Sequence, residues 1–167
     1  VTLQGEKIPL GFIQATTEHS VPIKDMLTNL KERGLAWEEG FICVIDGSKG
    51  IRKAVEESFG DKAIVQRCQW HKRENILKYI PEKEHEDIKR KYQRAINKES
   101  YKEAKQSLMD LKRDLAVVNL SAARSLEEGI EDILTLHRLG LNLDFSKSFA
   151  TTNCIENLNY QLGKYLR

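Results

Sequence analysis

Residues 41–75 read FICVIDGSKGIRKAVEESFGDKAIVQRCQWHKREN. Phe41, Ile42, Cys43, Val44 and Ile45 form a short apolar run rich in β-branched residues and without polar alternation, the pattern of a strand covered on both faces. Asp46 stands where that strand ends. Gly47, Ser48 and Gly50 permit a tight turn, and Ile51, Ala54, Val55 and Phe59 then recur at helical spacing until Gly60 stops the helix. Ala63, Ile64 and Val65 open a second strand that runs out into Cys68 and His71. The stretch therefore predicts a strand, helix, strand unit with chemistry at both strand exits. In open α/β sheets functional groups collect at the carboxyl ends of strands, so Asp46 and the Cys68–His71 segment are expected to face one crevice.

Outward from this unit, residues 1–17 read as a β-hairpin, two apolar and polar runs joined by a turn at Gly5, Glu6 and Lys7. Glu18 and Ser20 supply caps for a first helix carrying Val21, Ile23, Met26, Leu27 and Leu30 and ending at Gly34. Residues 35–40 connect it to the central unit, with Trp37 expected to pack on the sheet. A chain that starts inside a sheet reads as a fragment of a longer protein. Beyond His71 the composition changes: residues 72–139 hold helix formers and no convincing strand. Ile88, Tyr92, Ala95 and Ile96 mark one helix, and Ala104, Leu108, Leu111 and Leu115 the next. Ala122, Leu126, Ile130, Ile133, Leu134 and His137 mark a continuous helix to Leu139. Residues 142–148 read as a loop, and Ile155, Leu158, Leu162 and Leu166 stripe a final helix that carries Glu156 near its start.

With 167 residues, 40% hydrophobic and 31% charged, the chain can bury one good core and a small satellite. Its 27 basic and 25 acidic residues leave a net charge of +2, so any nucleic-acid-binding surface has to be local. Three cysteines without a secretory apolar segment point to a reducing, cytoplasmic setting, and no run approaches the ~18 apolar residues that a membrane span needs.

Three sets of residues invite chemistry. Asp46 and Glu156, converging at one sheet edge, would make a divalent-metal site: Mg²⁺ favours one or two carboxylates together with substrate phosphate oxygens. Taken alone, an Asp before Gly is more often a turn residue and a Glu in a first helical turn more often a helix-dipole partner. Cys68 and His71 form a CxxH pair without the second pair that a closed zinc site requires; packing is the plain reading for Cys68. Lys72, Arg73 and Asn75 could serve a DNA phosphate backbone, or simply form a solvated helix face.

Three ordered strings decide between these readings: Val44-Ile45-Asp46-Gly47-Ser48-Lys49-Gly50, then Gln66-Arg67-Cys68-Gln69-Trp70-His71-Lys72-Arg73-Glu74-Asn75, then Thr151-Thr152-Asn153-Cys154-Ile155-Glu156-Asn157-Leu158-Asn159. Together they resemble the Mutator-type transposases of bacterial insertion sequences. That resemblance implies an α/β, ribonuclease H-like mixed sheet with flanking helices, interrupted by an all-helical insertion. Residues 1–76 would form the first part of the core, 77–144 the insertion, and 145–167 the return helix. It matches Asp46 to the second acid of a DDE triad, Glu156 to the third, and Cys68 with His71 to the family's CxxH motif. It implies Mg²⁺ or Mn²⁺ as cofactor, transposon ends and target DNA as partners, a homo-oligomer in the full-length protein, and action at the bacterial nucleoid. The chain departs from the pattern at its front: the first acid belongs on a strand before the hairpin, and no Asp precedes Asp25. Glu18 is the one substitute in reach and reads better as a cap. The resemblance thus implies a catalytic fragment inactive by itself; a non-catalytic remnant or DNA-binding module of the same fold is the alternative, and an unrelated metal-dependent phosphohydrolase would need a further acid near Asp46.

Overall fold

The computed structural model of the chain describes residues 6–13 and 20–165. Helix α1 (Ser20–Glu32) precedes strand β1 (Phe41–Ile45), helix α2 (Lys49–Phe59), a 3₁₀ turn (Gly60–Lys62) and strand β2 (Ala63–Arg67). The two strands pair in parallel with Ile45 opposite Arg67. This is the crossover unit that the sequence predicts, with β1 bounded as expected. Ser48 caps α2 by accepting the Ile51 N–H, and its hydroxyl is there because Asp46 and Gly47 have already turned the chain.

The mixed sheet is present only as this parallel pair among the described residues. Residues 6–13 carry no strand, and the rest of the expected hairpin, with Glu18, lies outside the described residues. β1 is also less covered than expected: its first four residues are half buried and only Ile45 is buried. Trp37 meets the sheet at second hand, its ring edge-on to Phe59, which in turn stands edge-on to Phe41.

From Gln69 onward the chain is helical: α3 (Gln69–Leu77), α4 (Glu82–Ile96), α5 (Tyr101–Val118), α6 (Leu120–Ile133), α7 (Thr135–Arg138), α8 (Asn142–Phe149) and α9 (Asn153–Tyr165). The stripes read from periodicity on α4, α5 and α6 are all buried, and they form one core with Ile76, Leu77 and Ile80 of the α3 region. Sharp starts set these helices. The Ser100 hydroxyl caps α5 by accepting the Glu103 N–H while donating to the Glu103 carboxylate, and the Asn119 side chain accepts from Ser121 and Ala122 at the head of α6. Tyr92 donates its buried hydroxyl to the Gln69 carbonyl at 2.9 Å and so fixes α4 against the start of α3.

Two expectations are corrected. The helix drawn through Leu139 breaks at Leu134, because side chains of the strand region capture the backbone there. Gln66 and Gln69 both donate to the Ile133 carbonyl, Gln66 Oε1 accepts the Leu136 N–H at 3.0 Å, and Thr135 donates to the Val65 carbonyl at 2.8 Å. Residues 142–148, expected as a loop, belong to α8. Phe145 and Phe149, four apart, stack edge-on at 6.0 Å on one side of it and outweigh the weak helix preference of Asn142, Asp144 and the serines.

Candidate active site

Asp46 leaves β1 and Cys68 leaves β2 at the same end of the sheet. The ladder extends one step past the strands, Cys68 N–H donating to the Ile45 carbonyl at 2.7 Å, so the two exits lie side by side. Asp46 Oδ1 accepts the Ser48 N–H at 2.8 Å, which orients the carboxyl within the turn and leaves its second oxygen uncommitted by that bond. Gly47 sits at φ 105°, and a Cβ there would lie 2.5 Å from Arg67 Nε; the turn exists in this form because glycine lets the guanidinium lie against it.

The chain later returns to the Cys68 end of the sheet. Gln69 N–H donates to the Ala150 carbonyl at 2.9 Å and draws residues 150–152 across the start of α3. Thr152 N–H then donates to the buried Cys68 sulfur at 3.4 Å. The Thr152 hydroxyl lies 3.2 Å from His71 Nδ1 and donates to Glu156 Oε1 at 2.8 Å. His71 Nδ1 is itself 3.3 Å from Cys68 Sγ and 3.6 Å from Glu156 Oε1. The CxxH pair and Glu156 thus belong to one hydrogen-bonded group, joined by Thr152.

The donors following His71 do not act alike. Lys72 points inward, its side chain fully buried and its Nζ 2.7 Å from Glu128 Oε2; in this position it faces helix α6, not a phosphate-bearing surface. Burial pushes its ammonium below the ordinary lysine range, and Glu128 offsets part of that. Burial raises Glu128 too, but Lys72 and Arg67 outweigh it and hold the carboxylate below its usual value. Arg67 Nη1 reaches the other Glu128 oxygen at 3.1 Å, while its buried Nε has no partner. Arg73 grips Glu74 through two nitrogens, and Asn75 Oδ1 accepts from Lys78; both remain partly open to solvent. One signal for the inward lysine was present in the sequence: Gly129 in the middle of a helical stripe. A Cβ there would come within 2.5 Å of Lys72 Cε.

All three cysteines are free, and burial pushes the Cys43 thiol up to about 11, too high for a reactive thiolate near neutral pH. Among the described residues no three His, Cys, Asp or Glu side chains converge as a metal-ligand set. Asp46 and Glu156 nevertheless offer hard carboxylate oxygens, which suit Mg²⁺ in the usual arrangement of few protein ligands completed by water and phosphate. No helix among the described residues is long and apolar enough to cross a membrane.

The family described as "Transposase, Mutator family" matches residues 1–166. The chain is 30% identical over 168 residues to the transposase for insertion sequence element IS256 in transposon Tn4001 of Staphylococcus aureus, covering 98% of this chain and 41% of that protein. It is 31% identical over 160 residues to the transposase for insertion sequence element ISRM5 of Rhizobium meliloti, covering 96% and 39%. With the transposase for IS905 of Lactococcus lactis the identity is 24% over 164 residues, covering 98% and 40%. The chain therefore spans about 40% of the length of the curated relatives it matches.

Proposed function

The chain belongs to the Mutator family of transposases, and from that premise we propose that it is part of a DDE catalytic region of ribonuclease H-like type, cutting transposon ends and joining them to target DNA. The observation that carries this is the hydrogen-bonded group at the strand exits. Cys68 and His71, at the end of β2, are tied through Thr152 to Glu156, far away in the chain, beside the turn that holds Asp46. The group gathers residues from the exit of β2, from α3 and from the start of α9 at the end of the sheet where Asp46 leaves β1, and phosphoryl transfer needs little more there than positioned carboxylates.

In this reading Asp46 and Glu156 hold the ion, and the Mg²⁺ or Mn²⁺ when bound supplies charge neutralisation at the reacting phosphate. The Asp46 oxygen left by the Ser48 bond and the Glu156 oxygen left by the Thr152 bond are the ones free to serve. Arg73 and Asn75 lie on the adjacent helix surface and contact the DNA backbone, whereas Lys72 serves structure. Residues 77–144 act as a helical insertion in the core, and the full-length protein works on DNA as a homo-oligomer at the nucleoid.

A non-catalytic DNA-binding module is favoured by one observation: no three His, Cys, Asp or Glu side chains gather as a metal-ligand set among the described residues. End cleavage by the full-length protein decides between them. Asp46→Ala and Glu156→Gln should each lower the cleavage rate on the order of a hundredfold or more while leaving DNA affinity close to unchanged. Arg73→Ala should weaken DNA binding and reduce its salt dependence by about one counterion. Cleavage that survives both carboxylate changes overturns the catalytic reading.

A further inference from the structure

None of the described side chains of α9 is buried: Ile155 and Leu158 of its expected stripe are exposed, and Leu166 lies outside the described residues. Leu162 is only half buried, so packing does little to orient the helix that carries Glu156, and a glutamate on a loosely packed helix samples several rotamers. What holds it is Thr152. Its backbone carbonyl accepts the Ile155 and Glu156 N–H groups, its own N–H is bound to the buried Cys68 sulfur, and its hydroxyl is bound to the Glu156 carboxylate.

Proton counting gives this group a direction. The Thr152 hydroxyl has one proton, and an ionised carboxylate can only accept, so that proton goes to Glu156 Oε1. The 3.2 Å contact between the same hydroxyl oxygen and His71 Nδ1 is then a hydrogen bond only if the nitrogen carries the proton. Of the other two atoms near Nδ1, Glu156 Oε1 is an acceptor as well, and Cys68 Sγ, a free thiol that already accepts the Thr152 N–H, can either accept or donate. His71 donates, Thr152 relays, and Glu156 receives.

Accepting Glu156 as a catalytic acid, as proposed above, we infer that Thr152 is its positioning residue and that the CxxH pair acts through Thr152: Cys68 anchors the threonine backbone, and His71 Nδ1–H orients its hydroxyl. Such outer-shell partners fix a ligating carboxylate before the ion arrives. Cys68 and His71 then need no metal of their own.

The full-length transposase tests this. Thr152→Val keeps the shape and removes the hydroxyl; Thr152→Ser keeps the hydroxyl; Glu156→Gln is the control. End cleavage at saturating DNA, DNA affinity, and Mn²⁺ affinity from the electron paramagnetic resonance of the free ion are measured for each. Thr152→Val is expected to lose roughly 10–100-fold in rate and in Mn²⁺ affinity with unchanged DNA affinity, while Thr152→Ser stays within about threefold of the unaltered protein. A Thr152→Val protein matching the unaltered one in both readouts overturns the inference, as does a Thr152→Ser protein impaired as deeply as Thr152→Val. Should Thr152→Val fail to fold, ¹⁵N resonances of labelled histidine in the unaltered protein decide: a proton on His71 Nδ1 supports the relay, and a bare Nδ1 overturns it. A fully active Glu156→Gln protein would instead remove the catalytic role of Glu156 on which the inference rests, whatever Thr152 does.

Discussion

Leu108, Leu115, Leu126 and Ile133 in the helical block are fully buried, whereas Phe41, Ile42, Cys43 and Val44 of β1 stay half covered although that run is just as apolar. The difference follows from what each kind of element needs. Helices α3 to α6 each present one stripe, and these can close on one another within a short length of chain. A strand has two faces and two edges, and a parallel pair supplies only one partner. β1 consequently opens on an apolar trough formed with Leu27, Leu30, Phe59, Phe145 and Phe149. Burial in this protein is concentrated in the helices, and the proposed site lies at the exits of the strand unit.

The sharpest way to break that comparison is to truncate one side chain in each region. Leu126→Ala in the helical core should cost about 2–5 kcal/mol, and Ile42→Ala in β1 about 1 kcal/mol, because only part of its burial is at stake. Denaturant midpoints followed by circular dichroism measure both. Equal losses would show that the strand unit is as tightly cored as the helices.

The next largest effect concerns the join between the regions, where Arg67 of β2 and Lys72 of α3 share Glu128 of α6. Glu128→Ala should destabilise by about 1–2 kcal/mol. It leaves a buried ammonium without its carboxylate, although the exposed position of Glu128 lets water replace part of the loss. Lys72→Met, similar in shape and uncharged, should stay within about 1 kcal/mol of the unaltered chain. If Lys72→Met instead abolished DNA affinity without lowering stability, the inward placement of Lys72 would not describe its working state.

Caps give a smaller contrast. Asn119→Ala removes two accepted N–H bonds from α6 and should cost about 1 kcal/mol, whereas Ser48→Ala removes one bond of 3.4 Å from α2 and should cost roughly half that.

The smallest expected effect is with pH. Burial holds His137 below the ordinary histidine value, and its Nε2–H is shared by the Ile96 and Lys98 carbonyls. The unfolded chain therefore binds this proton more readily, so its contribution is complete above about pH 6.5 and is lost as pH falls toward the lower folded value. Denaturation midpoints at pH 7.5 and 5.5 should differ in that sense, and His137→Gln should flatten the difference. An unchanged slope in that variant would place the sensitivity elsewhere.

The parts legible in the sequence were those governed by near neighbours. A β-branched run bounded by glycine marked β1, periodic leucines marked α4, α5 and α6, and three motif strings pointed to Asp46, Cys68, His71 and Glu156. The helix over Asn142–Phe149 was not legible, since its polar residues argue for a loop and only the Phe145 and Phe149 contact argues otherwise.

The sequence by itself determined the strand, helix, strand unit, the faces that three helices bury, and the residue types available for phosphoryl chemistry, because each of these depends on spacing along a few turns. Tertiary structure alone decided that α6 stops where Gln66 and Gln69 seize the Ile133 carbonyl, that Lys72 turns into the slot left by Gly129, and that Thr152 joins His71 to Glu156. Each of those outcomes depends on a single hydrogen or the space of one Cβ contributed from a remote part of the chain, and no local pattern encodes which remote group will be there.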